Sequence, residues 1–129
     1  MIQLDLKSRT PIFKQIVENF KQLIINDVLK GDEKIPSVRE LSKMMTINPN
    51  TIQKAYKELE RQGYIYTIQG RGNFVASKVE KIDRGKIDTI MENTKKQLAE
   101  LIYLGVEKEE LIEWIESIHK EVQGGNNHD

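Results

Sequence analysis

Two helix starts stand close together in this chain, and they constrain the fold more than any other feature. Pro36 forbids a helix from running through it, and Ser37-Val38-Arg39-Glu40 follows as a capping box in which Ser37 and Glu40 satisfy each other's backbone amides. The spacing predicts a short helix from about Ser37 to Met45. Thr46 and Ile47 then form a tight turn, Asn48 offers a second cap, and Pro49 takes the first helical position. The next helix continues to Gln62, where Gly63 ends it. Helix, short turn and helix at this length is the helix-turn-helix pattern, which places its second helix across a major groove.

The flanks supply a scaffold. Thr10 offers a cap, Pro11 fits a first turn, and Ile12, Ile16, Val17, Phe20, Leu23, Ile24 and Val28 recur at helical spacing. This first helix is expected to run to about Lys30 and stop at Gly31, with a turn over Gly31-Asp32-Glu33-Lys34. Before it, Ile2, Leu4 and Leu6 alternate with polar residues, the pattern of a short strand or an extended arm. After the second capped helix, Tyr64 to Ile68 and Asn73 to Ala76 are rich in β-branched and aromatic residues and enclose Gln69-Gly70-Arg71-Gly72. Two strands around a glycine turn make a hairpin, or wing.

The C-terminal part reads differently. Ser77 to Gly85 is polar and charged, a linker or an early helical start. A helix follows with Ile87, Ile90, Met91, Thr94, Leu98, Leu101 and Ile102 on one stripe, ended by Gly105. Glu107 to Glu110 place negative charge at the start of a last helix, whose apolar face carries Leu111, Ile112, Ile115, Ile118 and Val122. The fold class is therefore mainly α with a small β-hairpin (α+β). A winged helix-turn-helix over residues 1–76 is followed by two C-terminal helices over 77–122 and by a tail, 123–129, expected to be disordered.

Charge supports a division of labour. Twenty Lys/Arg balance twenty Asp/Glu overall, but residues 1–76 carry twelve against eight, net +4, and residues 77–129 eight against twelve, net −4. Only the first part has the basic excess that phosphate binding needs. The chain has no cysteine, which excludes disulfides and thiolate metal sites. The start lacks an apolar stretch of signal-peptide length and no apolar run could span a bilayer, so a soluble, cytoplasmic protein is expected.

The first turns of the second capped helix display Asn48, Asn50, Thr51, Gln53 and Lys54. Asn and Gln can pair with adenine, Thr can donate or accept, and Lys neutralises phosphate. Asn48 alone reads equally well as a cap or a contact. Arg39, beside Ser37, is one position from the inward-facing Val38 and Leu41, leaving its guanidinium free for a phosphate or a guanine. Gly70-Arg71-Gly72 lets backbone approach closely and puts a cation at the wing tip. It is not a dinucleotide site, because a strand rather than a helix follows it. His119 and His128 are too isolated to bind a metal, the glutamates of the last helix read as a solvated face, and no cofactor or catalytic constellation is expected. Trp114 lies off the main stripe, as a groove cover or an interface anchor. The stripes of Ile87, Met91, Leu98 and Leu101, and of Leu111, Ile115 and Ile118, have little core to bury against in so small a chain, so pairing with a second copy is expected.

Taken together, Ile35-Pro36-Ser37-Val38-Arg39-Glu40-Leu41-Ser42, Ile47 to Tyr56, Leu59-Glu60, Gly63 and Gly70 to Val75 resemble the DNA-binding domain of the GntR family of bacterial transcription regulators. Pro11-Ile12-Phe13 and Gln15-Ile16 are similar to its first helix, so the likeness spans about residues 2–76. It implies operator contacts from Arg39, from Asn48, Asn50, Thr51 and Gln53, and from Gly70 to Gly72; Ser37, beside Arg39, is expected to join them. Where some members have Arg at the helix start, this chain has Pro49 and Asn50, so the base preference does not carry over. The short two-helix tail resembles the YtrA-type branch, which implies a homodimeric repressor, commonly of ABC-transporter genes. A small-molecule effector would have to bind between tail and winged domain or at a dimer interface. The competing reading is a winged-helix module that holds a protein and no DNA; it predicts an apolar recognition helix.

Overall fold

The computed structural model describes residues 2–77 and 84–124, and the chain divides into two units, Met1–Lys78 and Val79–Asp129. In the first, α1 (Ile12–Ile25), β1 (Lys34–Ile35), α2 (Val38–Met45), α3 (Pro49–Arg61), β2 (Ile65–Ile68) and β3 (Gly72–Val75) follow in order. The three strands form one antiparallel sheet in the order β1-β3-β2, with Ile65 opposite Val75 and Ile35 opposite Asn73.

One apolar core holds these elements together. Ile16, Val17 and Phe20 of α1 meet Leu41 of α2, Ile52, Ala55, Tyr56 and Leu59 of α3, and Ile35, Ile65 and Val75 of the sheet, all buried. Each such large side chain contributes roughly 1.5–3 kcal/mol on burial. Phe20 meets Tyr56 edge-on, with ring centroids 5.6 Å apart.

Several expectations need correction. The first helix ends at Ile25, not near Lys30. Asp27 adopts a left-handed conformation (φ 60°), and the amides of Val28 and Leu29 both turn back to the Leu23 carbonyl. That reversal tucks Leu29 into the core and leaves Val28, expected on the buried face, 59% exposed. Thr10 does not cap; Pro11 occupies the cap position without a side-chain hydrogen bond. The wing is part of a three-stranded sheet, because Lys34 and Ile35, expected in or just after a turn, pair with β3.

The N-terminal segment is an extended arm and not a strand. Gln15 of α1 accepts from the Asp5 amide at 2.8 Å and donates to the Asp5 carbonyl at 3.0 Å. One helical turn on, Asn19 makes the same pair of contacts with Gln3, at 3.4 and 3.1 Å. Two carboxamides thus stand in for a neighbouring strand and lay Ile2 and Leu4 against the core.

The second unit contains α4 (Arg84–Tyr103) and α5 (Lys108–Gly124), joined through Gly105 at φ 101°. Its start at Arg84 agrees with an early helical start, although residues 78–83 of the expected linker lie outside the described residues. The last helix runs two residues beyond Val122, into the segment expected to be disordered; residues 125–129 lie outside the described residues. Leu101, Val106, Glu110, Leu111 and Trp114 line a hollow at the turn. No residue of α4 is buried, and Leu111 is the one buried hydrophobic among the described residues of this unit.

Candidate nucleic-acid interface

Local chemistry fixes the helix-turn-helix. Ser37 Oγ accepts from the Glu40 amide at 3.0 Å, and the Glu40 carboxylate accepts from the Ser37 amide at 3.1 Å, completing the capping box. Those backbone and side-chain hydrogen bonds to Ser37 hold the Glu40 carboxyl below its ordinary range. In the turn, Thr46 takes a left-handed conformation (φ 55°), and the Ser42 hydroxyl donates to the Ile47 carbonyl at 2.5 Å. From α3 the Tyr56 hydroxyl reaches back to donate to the Pro36 carbonyl at 2.6 Å. Burial, with a smaller effect of the Glu40 charge, pushes that phenol well above its usual range, so it remains a donor.

Around this frame the expected residues take distinct places. Ser37 caps α2 through its Oγ as acceptor, and Asn48 caps α3, its Oδ1 accepting from the Asn50 amide at 2.8 Å. Asn50 and Gln53 are exposed, while Thr51 is half-buried. Arg39 is exposed, and among the described residues it forms no ion pair. Lys54 is exposed too, but its Nζ sits 4.0 Å from the centroid of the Phe13 ring, so α1 steadies the cation. Gly70 (φ 82°) and Gly72 (φ 130°) turn the wing and leave Arg71 exposed at its tip.

The arrangement adds cations that sequence reasoning passed over. Val38, Arg39, Ser42, Lys43 and Pro49 line one concavity, which joins the outer face of α2 to the start of α3. Lys43 lies four residues after Arg39 and so shares its helix face, a spacing legible in the sequence. A second groove, between α3 and the wing strands, is lined by Gln53, Tyr56, Lys57, Glu60, Thr67 and Asn73, together with Val38. Lys57 stands one turn beyond Gln53. Among the described residues, no group of three His, Asp or Glu could hold a metal ion, and no helix is long and apolar enough to cross a membrane.

A capped two-helix motif backed by a third helix and a glycine-turned hairpin defines a winged helix-turn-helix protein. Residues 12–75 match the family of bacterial regulatory proteins named gntR. Along its whole length the chain is 44% identical to the whole of the HTH-type transcriptional repressor YtrA of Bacillus subtilis (strain 168). A transcriptional antiterminator from Listeria monocytogenes EGD-e has a similar crystal structure, with a TM-score of 0.79 and 36% identity over 95% of this chain and 92% of that one. AraR(DBD), crystallised in complex with the operator ORE1, is similar over 59% of this chain and 93% of its own (TM-score 0.51, 33% identity). The chain therefore belongs to the GntR family, and its end-to-end match with YtrA puts it in the short YtrA-type branch. The family consists of transcription regulators and not of enzymes.

Proposed function

We propose that the chain is a cytoplasmic, homodimeric transcriptional repressor that binds a palindromic DNA operator. α3 enters the major groove, offering Asn50, Thr51 and Gln53 to base edges, with Asn48 at its cap. Ser37, Arg39 and Lys54 anchor phosphates on either side, and Gly70-Arg71-Gly72 reaches toward the minor groove. The observation that carries this reading is the concavity shared by Arg39, Lys43 and Pro49, where exposed cations flank the polar start of a capped helix.

The relatives support it, since YtrA is named as a repressor and AraR(DBD) was crystallised on an operator. The tail contributes the second copy: Met91 and Ile115 are 64% and 50% exposed, an unfavourable state for apolar helix faces that a partner would relieve. Paired tails would set two recognition helices about 34 Å apart, one turn of DNA. ABC-transporter genes are the targets that the family likeness implies.

The rival reading, a protein-holding module, needs an apolar exposed face on α3, and of the exposed residues there all but Pro49 are polar or charged: Asn50, Gln53, Lys54, Lys57, Glu60 and Arg61. Fluorescence anisotropy on a duplex enriched by the full chain from a randomised library tests the proposal. Binding should weaken steeply with salt, and Arg39→Ala should weaken it at least several-fold without lowering helix content. Failure to enrich any duplex would sink the DNA reading.

A further inference from the structure

Sequence reading places one cation at the wing, Arg71; the structure brings a second from a different strand. Lys34 on β1 stands opposite Phe74 of β3, so its side chain lies on the sheet face that Phe74 shares with Gly72 two residues before it. There the lysine stem crosses the wing backbone. A Cβ added at Gly72 would stand 2.8 Å from Lys34 Cε and 3.6 Å from its Nζ. The φ of 130° is what calls for glycine at position 72, and the space above it is taken by the flexible end of Lys34.

Nearby carboxylates have hydrogen-bond partners of their own, and Glu40 also feels the Lys34 charge, though no ion pair joins the two. Asp32 accepts from the Tyr66 hydroxyl at 2.8 Å, Glu33 from the Lys30 amide at 3.2 Å, and Glu40 from the Ser37 amide at 3.1 Å. Among the described residues Lys34 forms no ion pair. Its ammonium lies over Gly72, the first residue of β3 and the one that follows Arg71 in the chain.

We propose that Lys34 is a second phosphate-binding cation of the wing, delivered from β1 across Gly72, and that with Arg71 it grips the DNA backbone bordering the groove that the wing enters. The inference rests on the DNA-binding reading above. A long, flexible ammonium suits a phosphate better than a base edge, because it acts as a point charge without planar directionality.

The test is anisotropy over a salt series, with the full chain on its library-selected duplex and on an unrelated duplex. Lys34→Gln should weaken binding several-fold on both duplexes and lower the slope of log K against log salt by about 1. Lys34→Arg should keep the slope, which separates charge from packing. Arg71→Gln with Lys34→Gln should lower the slope by about 2. If the wild-type chain binds and Lys34→Gln matches it in affinity and slope, Lys34 has no such role while the DNA reading stands. A loss confined to the selected duplex would overturn the phosphate assignment. A wild-type chain that binds neither duplex overturns the reading and the inference together.

Discussion

The Tyr56 hydroxyl donates to the Pro36 carbonyl at 2.6 Å, tying the second turn of α3 to the residue that precedes the α2 cap. The bond spans the helix-turn-helix from outside the turn, so it helps set the angle at which α3 leaves α2. Tyr56→Phe keeps the ring against Phe20 and removes only the donor, leaving the carbonyl unpaired. A loss of about 1–2 kcal/mol is expected, which for a domain of this size lowers Tm by roughly 4–8 °C per kcal/mol. Thermal unfolding followed by circular dichroism checks it, and an unchanged Tm would show that water replaces the hydroxyl at no cost.

Much of this frame was legible in the residues. Ser37 with Glu40, and Asn48 with Pro49, are local devices whose partners lie within three positions, so their chemistry is written in consecutive letters. What was not legible depends on partners distant in sequence. Lys34 and Ile35 form a strand only because β3 lies alongside them, and two residues carry no periodicity of their own. α1 stops early because Asp27 accepts a left-handed backbone, which lets Leu29 fill the core, whereas the apolar spacing through Val28 suggested continuation. Lys54 rests on Phe13 of another helix, a contact that spacing cannot reveal.

At the far end of α3 the Glu58 carboxylate accepts from Arg61 Nε at 2.8 Å and also from Gln62. Those two hydrogen bonds, the Arg61 one foremost, lower its pKa from 4.5 to about 2. A depressed carboxyl stabilises the folded state above its ordinary pKa and loses that contribution as pH falls through the folded value. Fraying of the α3 C-terminus is therefore expected only as pH drops from about 4.5 toward 2. Carboxyl-carbon NMR should show Glu58 titrating near the bottom of that window, and Arg61→Gln should move it back toward 4.5. An unmoved midpoint would mean that Arg61 is not its main partner.

The arm offers a residue-specific experiment. Because Gln15 serves Asp5 and Asn19 serves Gln3, Gln15→Ala should speed hydrogen exchange at the Asp5 amide much more than at Gln3, and Asn19→Ala should do the reverse. Equal effects of both substitutions at both amides would show that the arm detaches as one piece. The cost in global stability should stay below about 1 kcal/mol for each, since these hydrogen bonds are exposed to water.

The proposal that two copies read the DNA together is tested at the tail helices. Met91 on α4 and Ile115 on α5 are 64% and 50% exposed in the single chain. If the chain stayed monomeric, lysine at either place would be tolerated, because a surface substitution on a helix changes stability by no more than about 0.5 kcal/mol. If these faces pack on a second copy, each lysine buries an unpaired charge at the interface, and the dimer should dissociate at micromolar protein. Light scattering coupled to size exclusion distinguishes the two directly. The same variants should bind a palindromic duplex far more weakly than wild type, yet bind a single half-site as wild-type monomers would, since Arg39 and the start of α3 are untouched. Met91→Lys and Ile115→Lys chains that keep the wild-type mass would show that the tail does not join two copies through these faces.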